Sequence, residues 1–164
     1  MKKYKWHIIL LNAVLLLAFF NWSVIAKERT LAQGKLVLLA LAPIDPRSLM
    51  QGDYMRLRYA MARFDSIPAP EGHHGYCVVV LDSHHVAHKV RMQTGTQPLN
   101  ADEVLIKYKT NHNWGINLGA ESYFFQEGQA EKYAKAKYGG LRVDASGSTI
   151  LTGLYDEQFN LLGK

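Results

Sequence analysis

A single cysteine in 164 residues, Cys77 in the run Gly75-Tyr76-Cys77-Val78-Val79-Val80-Leu81, removes two classes of protein at once. No intrachain disulfide can form, and no cysteine cluster is present to hold a metal. The apolar neighbours of Cys77 make it a small core residue rather than a reactive thiol. Basic clusters are missing as well. The chain carries 19 Lys and Arg against 14 Asp and Glu, a formal charge of +5. Lys2, Lys3 and Lys5 precede the first apolar run, so residues 27–164 hold 16 basic and 14 acidic residues, a net +2. Without an Arg/Lys stripe, nucleic-acid binding loses its main support. No internal repeat or low-complexity tract is present, and the length suits one domain. What remains is 48% apolar, 11% aromatic and 20% charged, the composition of a folded protein.

One long hydrophobic run is there, from Ile8 to Ile25. It is free of charge, and Asn12, Asn21 and Ser23 are its polar residues. As a helix at 1.5 Å per residue it covers roughly 27 Å, close to the hydrocarbon core of a bilayer. Trp6 and Trp22 stand near its ends, where indole rings favour the headgroup layer. The basic head places the N-terminus in the cytoplasm and the rest of the chain outside. Val24-Ile25-Ala26 resembles a signal-peptide cleavage site, but the run is longer than the usual signal core, which favours a permanent anchor. A buried core helix would show a polar stripe, and none is visible.

Beyond the anchor the pattern is mainly β. Strands are expected at Gly34–Ile44, Asp53–Met61, Tyr76–Asp82, Val86–Met92, Val104–Lys109 and Ile116–Phe125. Ser83-His84-His85 makes the third and fourth of these a hairpin. A short helix is expected at Gln129–Lys137, ended by Gly139-Gly140. Leu141–Asp144 and Ile150–Tyr155 form a closing hairpin around Ala145–Ser148. The architecture predicted is an anchor domain over residues 1–27 and, over 28–164, a small β-barrel or sandwich-like domain with one short helix.

The sharpest local pattern is Gly52-Asp53-Tyr54-Met55-Arg56-Leu57-Arg58-Tyr59. Gly52 suits a turn, and Asp53 can bond the turn backbone. On a strand, Tyr54, Arg56 and Arg58 share one face while Met55, Leu57 and Tyr59 share the other. The pattern predicts an apolar inner face and an outer face of two guanidinium groups beside a tyrosine, able to recognise an anionic or aromatic surface. A second segment, Ala120-Glu121-Ser122-Tyr123-Phe124-Phe125-Gln126-Glu127-Gly128, is rich in aromatics. Glu127 suits the positive end of the short helix that follows. On a strand Glu121 and Glu127 would lie about 20 Å apart, too far for a glycosidase pair.

The first segment fills a GDYxxLxY pattern at Gly52, Asp53, Tyr54, Leu57 and Tyr59. With the lead-in Ala42–Gln51, which contains Asp45 and Arg47, and the Glu121, Tyr123, Glu127 and Gly128 segment, most of the chain resembles the GDYxxLxY family of membrane-anchored bacterial proteins. The function of that family is not established, and it supplies no catalytic residue. The resemblance implies a single anchor with an extracytoplasmic domain. Members are encoded beside multi-span membrane proteins, which implies a membrane partner.

Two other chemistries compete. Anchor, β-rich domain and a Pro…Leu-x-x-Gly-Asp strand start are similar to signal peptidases, which need a serine nucleophile and a lysine base. Ile44 occupies the position where that serine would stand. Ser48 is displaced from it, and Lys89, Lys107 and Lys109 are the lysines to consider. Such a base must be buried to lose its proton. His84, His85 and His88 crowd one hairpin and are the weak candidates for a metal, although adjacent strand residues point to opposite faces. No metal and no cofactor is expected. The sequence leaves any small-molecule ligand unknown. It supports a single-pass inner-membrane protein without catalysis, docking its outer domain on an integral membrane protein. A hydrolase on a peptidase-like barrel, or a ligand- or metal-binding module, is the alternative.

Overall fold

The computed structural model describes residues 4–42, 54–62, 74–111, 115–126 and 128–163. Helix α1 runs over Lys5–Gln33, 29 residues and about 44 Å long. The side-chain amides of Asn12 and Asn21 donate to the carbonyls of Ile8 and Leu17, at 3.1 and 2.8 Å. Both asparagine amides inside the apolar run thus find acceptors within the helix, as hydrocarbon requires. The most apolar window of α1 is not buried in protein at all, which excludes a core helix. Among the described residues this helix alone is long and apolar enough to cross a membrane.

The helix does not stop at the membrane edge. It continues past residue 27 to Gln33, and its last turns dock on the domain. Thr30 is buried, and its hydroxyl donates to Asp144 Oδ2 at 3.0 Å. Arg142 Nη1 donates to the Gly34 carbonyl at 2.9 Å. Gly34 turns from helix to extended backbone (ψ 144°), and strand β1 begins at the next residue.

Among the described residues, ten strands follow in three sheets. β1 (Lys35–Ala40), β8 (Tyr138–Val143), β9 (Thr149–Tyr155) and β10 (Leu161–Leu162) form one, in that spatial order. β4 (Ala87–Gln93), β3 (His74–Leu81), β5 (Glu103–Asn111) and β6 (Gly115–Asn117) form the second. β2 (Tyr54–Arg56) and β7 (Ser122–Phe124) form a two-stranded ribbon. Every strand pair within these sheets is antiparallel. The two large sheets curl toward each other and meet where Leu38 N–H donates to the His85 carbonyl and Lys107 N–H to the Gly147 carbonyl, both at 2.8 Å. One hydrophobic core serves all three sheets: Val37 and Leu141 come from the first, Cys77 and Ile106 from the second, Met55 and Leu57 from the ribbon and its exit. Burial pushes the Cys77 thiol up to about 12, so it is an inert core residue. The chain is mainly β behind a single apolar helix, as the sequence predicts.

Three hairpin turns share one construction. Asp82, Asp144 and Asp156 each open a turn, and each accepts backbone N–H bonds from residues two and four positions later, at 2.8–3.0 Å. The fourth residue of each turn is left-handed: His85 (φ 64°), Gly147 (φ 80°) and Phe159 (φ 62°). A left-handed histidine and phenylalanine are strained, so other contacts must hold them. Phe159 is held by its ring, which stacks on His84 at 4.5 Å and packs against Tyr138 at 5.1 Å.

Three sequence expectations change. The strand expected at Asp53–Met61 is regular over Tyr54–Arg56 and gives way to a 3-10 turn at Ala60–Ala62. Gly139-Gly140 does not end the short helix, which spans Ala130–Tyr133; both glycines lie buried inside β8. A Cβ on Gly139 would meet the Tyr59 ring at 2.9 Å, and one on Gly140 the Tyr155 ring at 2.3 Å. They are glycines because two tyrosine rings lie against the strand. The run Ile116–Phe125 is not one strand. Gly119 (φ 80°) breaks it, sending β6 to one sheet and β7 to another.

Candidate functional site

The two most distinctive segments of the sequence meet in space. β2 pairs with β7 in the register Tyr54 opposite Phe124, Met55 opposite Tyr123, Arg56 opposite Ser122. The pairing continues past the ribbon, where Leu57 N–H donates to the Glu121 carbonyl at 2.7 Å. It ends at Tyr59, 1% exposed, whose hydroxyl donates to the Ala120 carbonyl at 2.5 Å across 61 residues of sequence. Tyr59 also bridges to Leu41, and Arg58 accepts from Ala42 N–H at 2.7 Å through its carbonyl. Burial, helped by the Glu121 charge, raises the Tyr59 hydroxyl far above its ordinary value, so it remains a neutral donor.

Met55, Leu57 and Tyr59 are buried, while Arg56 and Arg58 are exposed. The alternation read from the sequence is therefore the alternation of the fold. Across the ribbon Ser122 and Phe124 are exposed beside Arg56, and Phe124 reaches 74% exposure. Among the described residues neither Arg56 nor Arg58 has an ion-pair partner.

Glu121 is a structural carboxylate. Its Oε1 accepts the N–H groups of Leu118, in a short bond, and of Gly119 at 3.2 Å, closing the turn ahead of β7. Tyr123 packs edge-on against Tyr133 of α2 (Ala130–Tyr133), with ring centroids 5.1 Å apart. Burial first, then a hydrogen bond with Tyr133, pushes Tyr123 up to about 12. Gly128 (φ 80°) takes the left-handed turn before α2. Asp45, Arg47, Gly52, Asp53 and Glu127 lie outside the described residues, as does Ser48.

Two contributors were hidden from the sequence. Phe124 belongs on the outer face because it stands opposite Tyr54, which only the register reveals. Tyr133 holds β7 from the short helix, a tertiary contact without a local signal.

The other candidates do not converge. His84 stacks on Phe159, His85 is the left-handed turn residue, and His88 Nε2 lies 3.3 Å from Asp82 Oδ2. Among the described residues no three His, Cys, Asp or Glu side chains gather as a metal site. Lys89 Nζ donates to the Met61 carbonyl at 3.2 Å. Lys107 Nζ reaches the hydroxyls of Ser146 and Ser148 at 3.3 and 3.4 Å, in an exposed turn where Ser146 Oγ already donates to Asp144. Lys109 is exposed.

Comparison with curated proteins and with solved structures finds no match. A family model does match, described as GDYXXLXY protein and covering residues 16–154, from inside the membrane-length helix to the penultimate residue of β9. Both paired segments fall within that span, and the chain belongs to the GDYXXLXY family.

Proposed function

We propose that the protein is a membrane-anchored accessory subunit. Its β domain stands outside the cytoplasm and docks on an integral, multi-span membrane protein, acting by contact rather than catalysis. The observation that carries this proposal is the ribbon's two-sidedness. Its inner face belongs to the core, so its outer face presents Arg56, Arg58 and Phe124 from a fixed backbone. Arginine and aromatic side chains on a rigid base are the residue types that anchor protein interfaces. The basic head ahead of α1 supports the cytoplasmic N-terminus.

The test uses the full-length protein with a C-terminal tag, extracted from its own membranes in mild detergent. A stoichiometric multi-span protein should accompany the native chain. It should be lost with R56E/R58E at unchanged melting temperature. Recovery of the native chain alone, or retention of the companion by the double variant, overturns the proposal. Labelling by a serine-directed acylating probe, lost with Ser48→Ala, would replace it with the hydrolase.

A further inference from the structure

The docking of α1 on the domain leaves a groove of about 800 Å³ between them. Trp22, Ile25 and Ala26 form its membrane-side wall, and Leu99, Leu105 and Val143 its domain-side wall. The helix residues recur at spacings of three and four, so one face of α1 builds the whole wall. Trp22 is 80% exposed and lies in the last turn of the apolar run. The groove therefore opens at the depth where hydrocarbon gives way to headgroups.

The charge in the groove is positive on balance. Arg29, Lys35, Glu103 and Asp144 all line it. Both acids are already used: Glu103 by Arg91 and Asn100, Asp144 by Thr30, Ser146 and Ser148. Arg29 and Lys35 have no ion-pair partner among the described residues. Arg91 neutralises Glu103, while Asp144 keeps its charge against neutral donors, so the lining carries a net +1, with Arg29 and Lys35 unpaired above an apolar trough at the membrane surface.

We infer that this groove is a phospholipid site. The headgroup phosphate sits between Arg29 and Lys35, and the upper acyl chain lies along Trp22, Ile25 and Leu99. The volume falls within the range of small-molecule sites. Unpaired cations call for an anion, and phosphate is the anion every bilayer supplies at that depth. A partner's transmembrane helix would satisfy the apolar wall but leave both cations unanswered. The assignment does not depend on which side of the membrane the domain occupies.

The full-length protein, delipidated in mild detergent and titrated with phosphatidylglycerol, should show one saturable lipid adduct by native mass spectrometry. R29Q/K35Q should weaken that adduct roughly tenfold or more. Leu99→Trp, which fills the trough and leaves both cations, should weaken it too. R56Q/R58Q, on the ribbon and outside the groove lining, should not. Inorganic phosphate at millimolar concentration should fail to compete, since the acyl chain contributes to binding. Equal binding by native chain and R29Q/K35Q overturns the assignment, as does equal loss with R56Q/R58Q. Competition by inorganic phosphate reduces the site to an anion site and overturns the lipid. A photo-crosslinker at position 99 that captures a protein instead of lipid in native membranes gives the groove to a partner helix.

Discussion

The chain joins distant segments in two places, and it does so by opposite means. At the ribbon, β2 meets β7 through backbone pairing, with Met55, Leu57 and Tyr59 driven into the core beneath. At the membrane end, α1 meets the β8–β9 hairpin through single side chains, Thr30 on Asp144 and Arg142 on the Gly34 carbonyl. The first join is built into the core; the second is a clasp of single hydrogen bonds. The tyrosine, leucine and glycine positions of a signature can be fixed by packing alone, and here the visible ones largely are. In the proposed docking, recognition belongs to the arginines between them.

The largest expected effect tests the ribbon. Tyr59→Ala should destabilise the domain by about 3–5 kcal/mol, since a filled aromatic site becomes a cavity. Arg56→Ala and Arg58→Ala should stay within about 0.5 kcal/mol. Urea unfolding of the detergent-solubilised chain measures all three. Similar losses for tyrosine and arginines would erase the distinction between inner and outer face.

A smaller effect is expected at the clasp. Thr30→Val should cost about 1 kcal/mol by leaving Asp144 one donor short. Its signature is local: amide exchange should accelerate across residues 26–34 and not across β2 or β7. Exchange that accelerates equally everywhere would mean that helix and domain unfold as one.

Acid should separate the two joins further. The hydrogen bond from Arg91, then one from the Asn100 backbone, holds Glu103 near about 2, against an ordinary 4.5. A folded value below the unfolded one gives stability that is full above the unfolded value and is lost as pH falls through the folded one. The stability gap between the native chain and Glu103→Gln should therefore be constant above about pH 5 and close between about 4.5 and 2. Asp144 moves the same way: burial pushes it up, but its bonds to Ser146, Ser148 and Thr30 outweigh that and leave it lowered. Asp144 belongs to the clasp, so as pH falls the amide protection of residues 26–34, corrected for the intrinsic pH dependence of exchange, should be lost before that of Leu57. Loosening there first would reverse the comparison.

Legibility in the sequence followed the range of the interaction. The anchor needs only a count of apolar residues, and the alternation over 54–59 is a local consequence of the strand period. The β3–β4 and β8–β9 hairpins announce themselves through turn residues. Gly139-Gly140 misleads, because a helix stop and a strand under two tyrosine rings call for the same residue. The β9–β10 turn has Glu157, Gln158 and Phe159 where glycine or asparagine would signal a turn, and its left-handed phenylalanine is held by His84, more than 70 residues away in sequence. Register was the other hidden quantity: nothing local places Phe124 beside Arg56.

The passage from α1 through Gly34 directly into β1 has a consequence for how a companion would be found. A domain on a slack tether sweeps a hemisphere and samples every height above the bilayer. Here that sweep is absent, because no spacer separates the helix from the first strand. Search collapses to drift in the plane and rotation about one axis. The proposed partner would have to offer its contact face at one altitude, and any tilt of the helix in the bilayer would steer the domain like a rudder on its post.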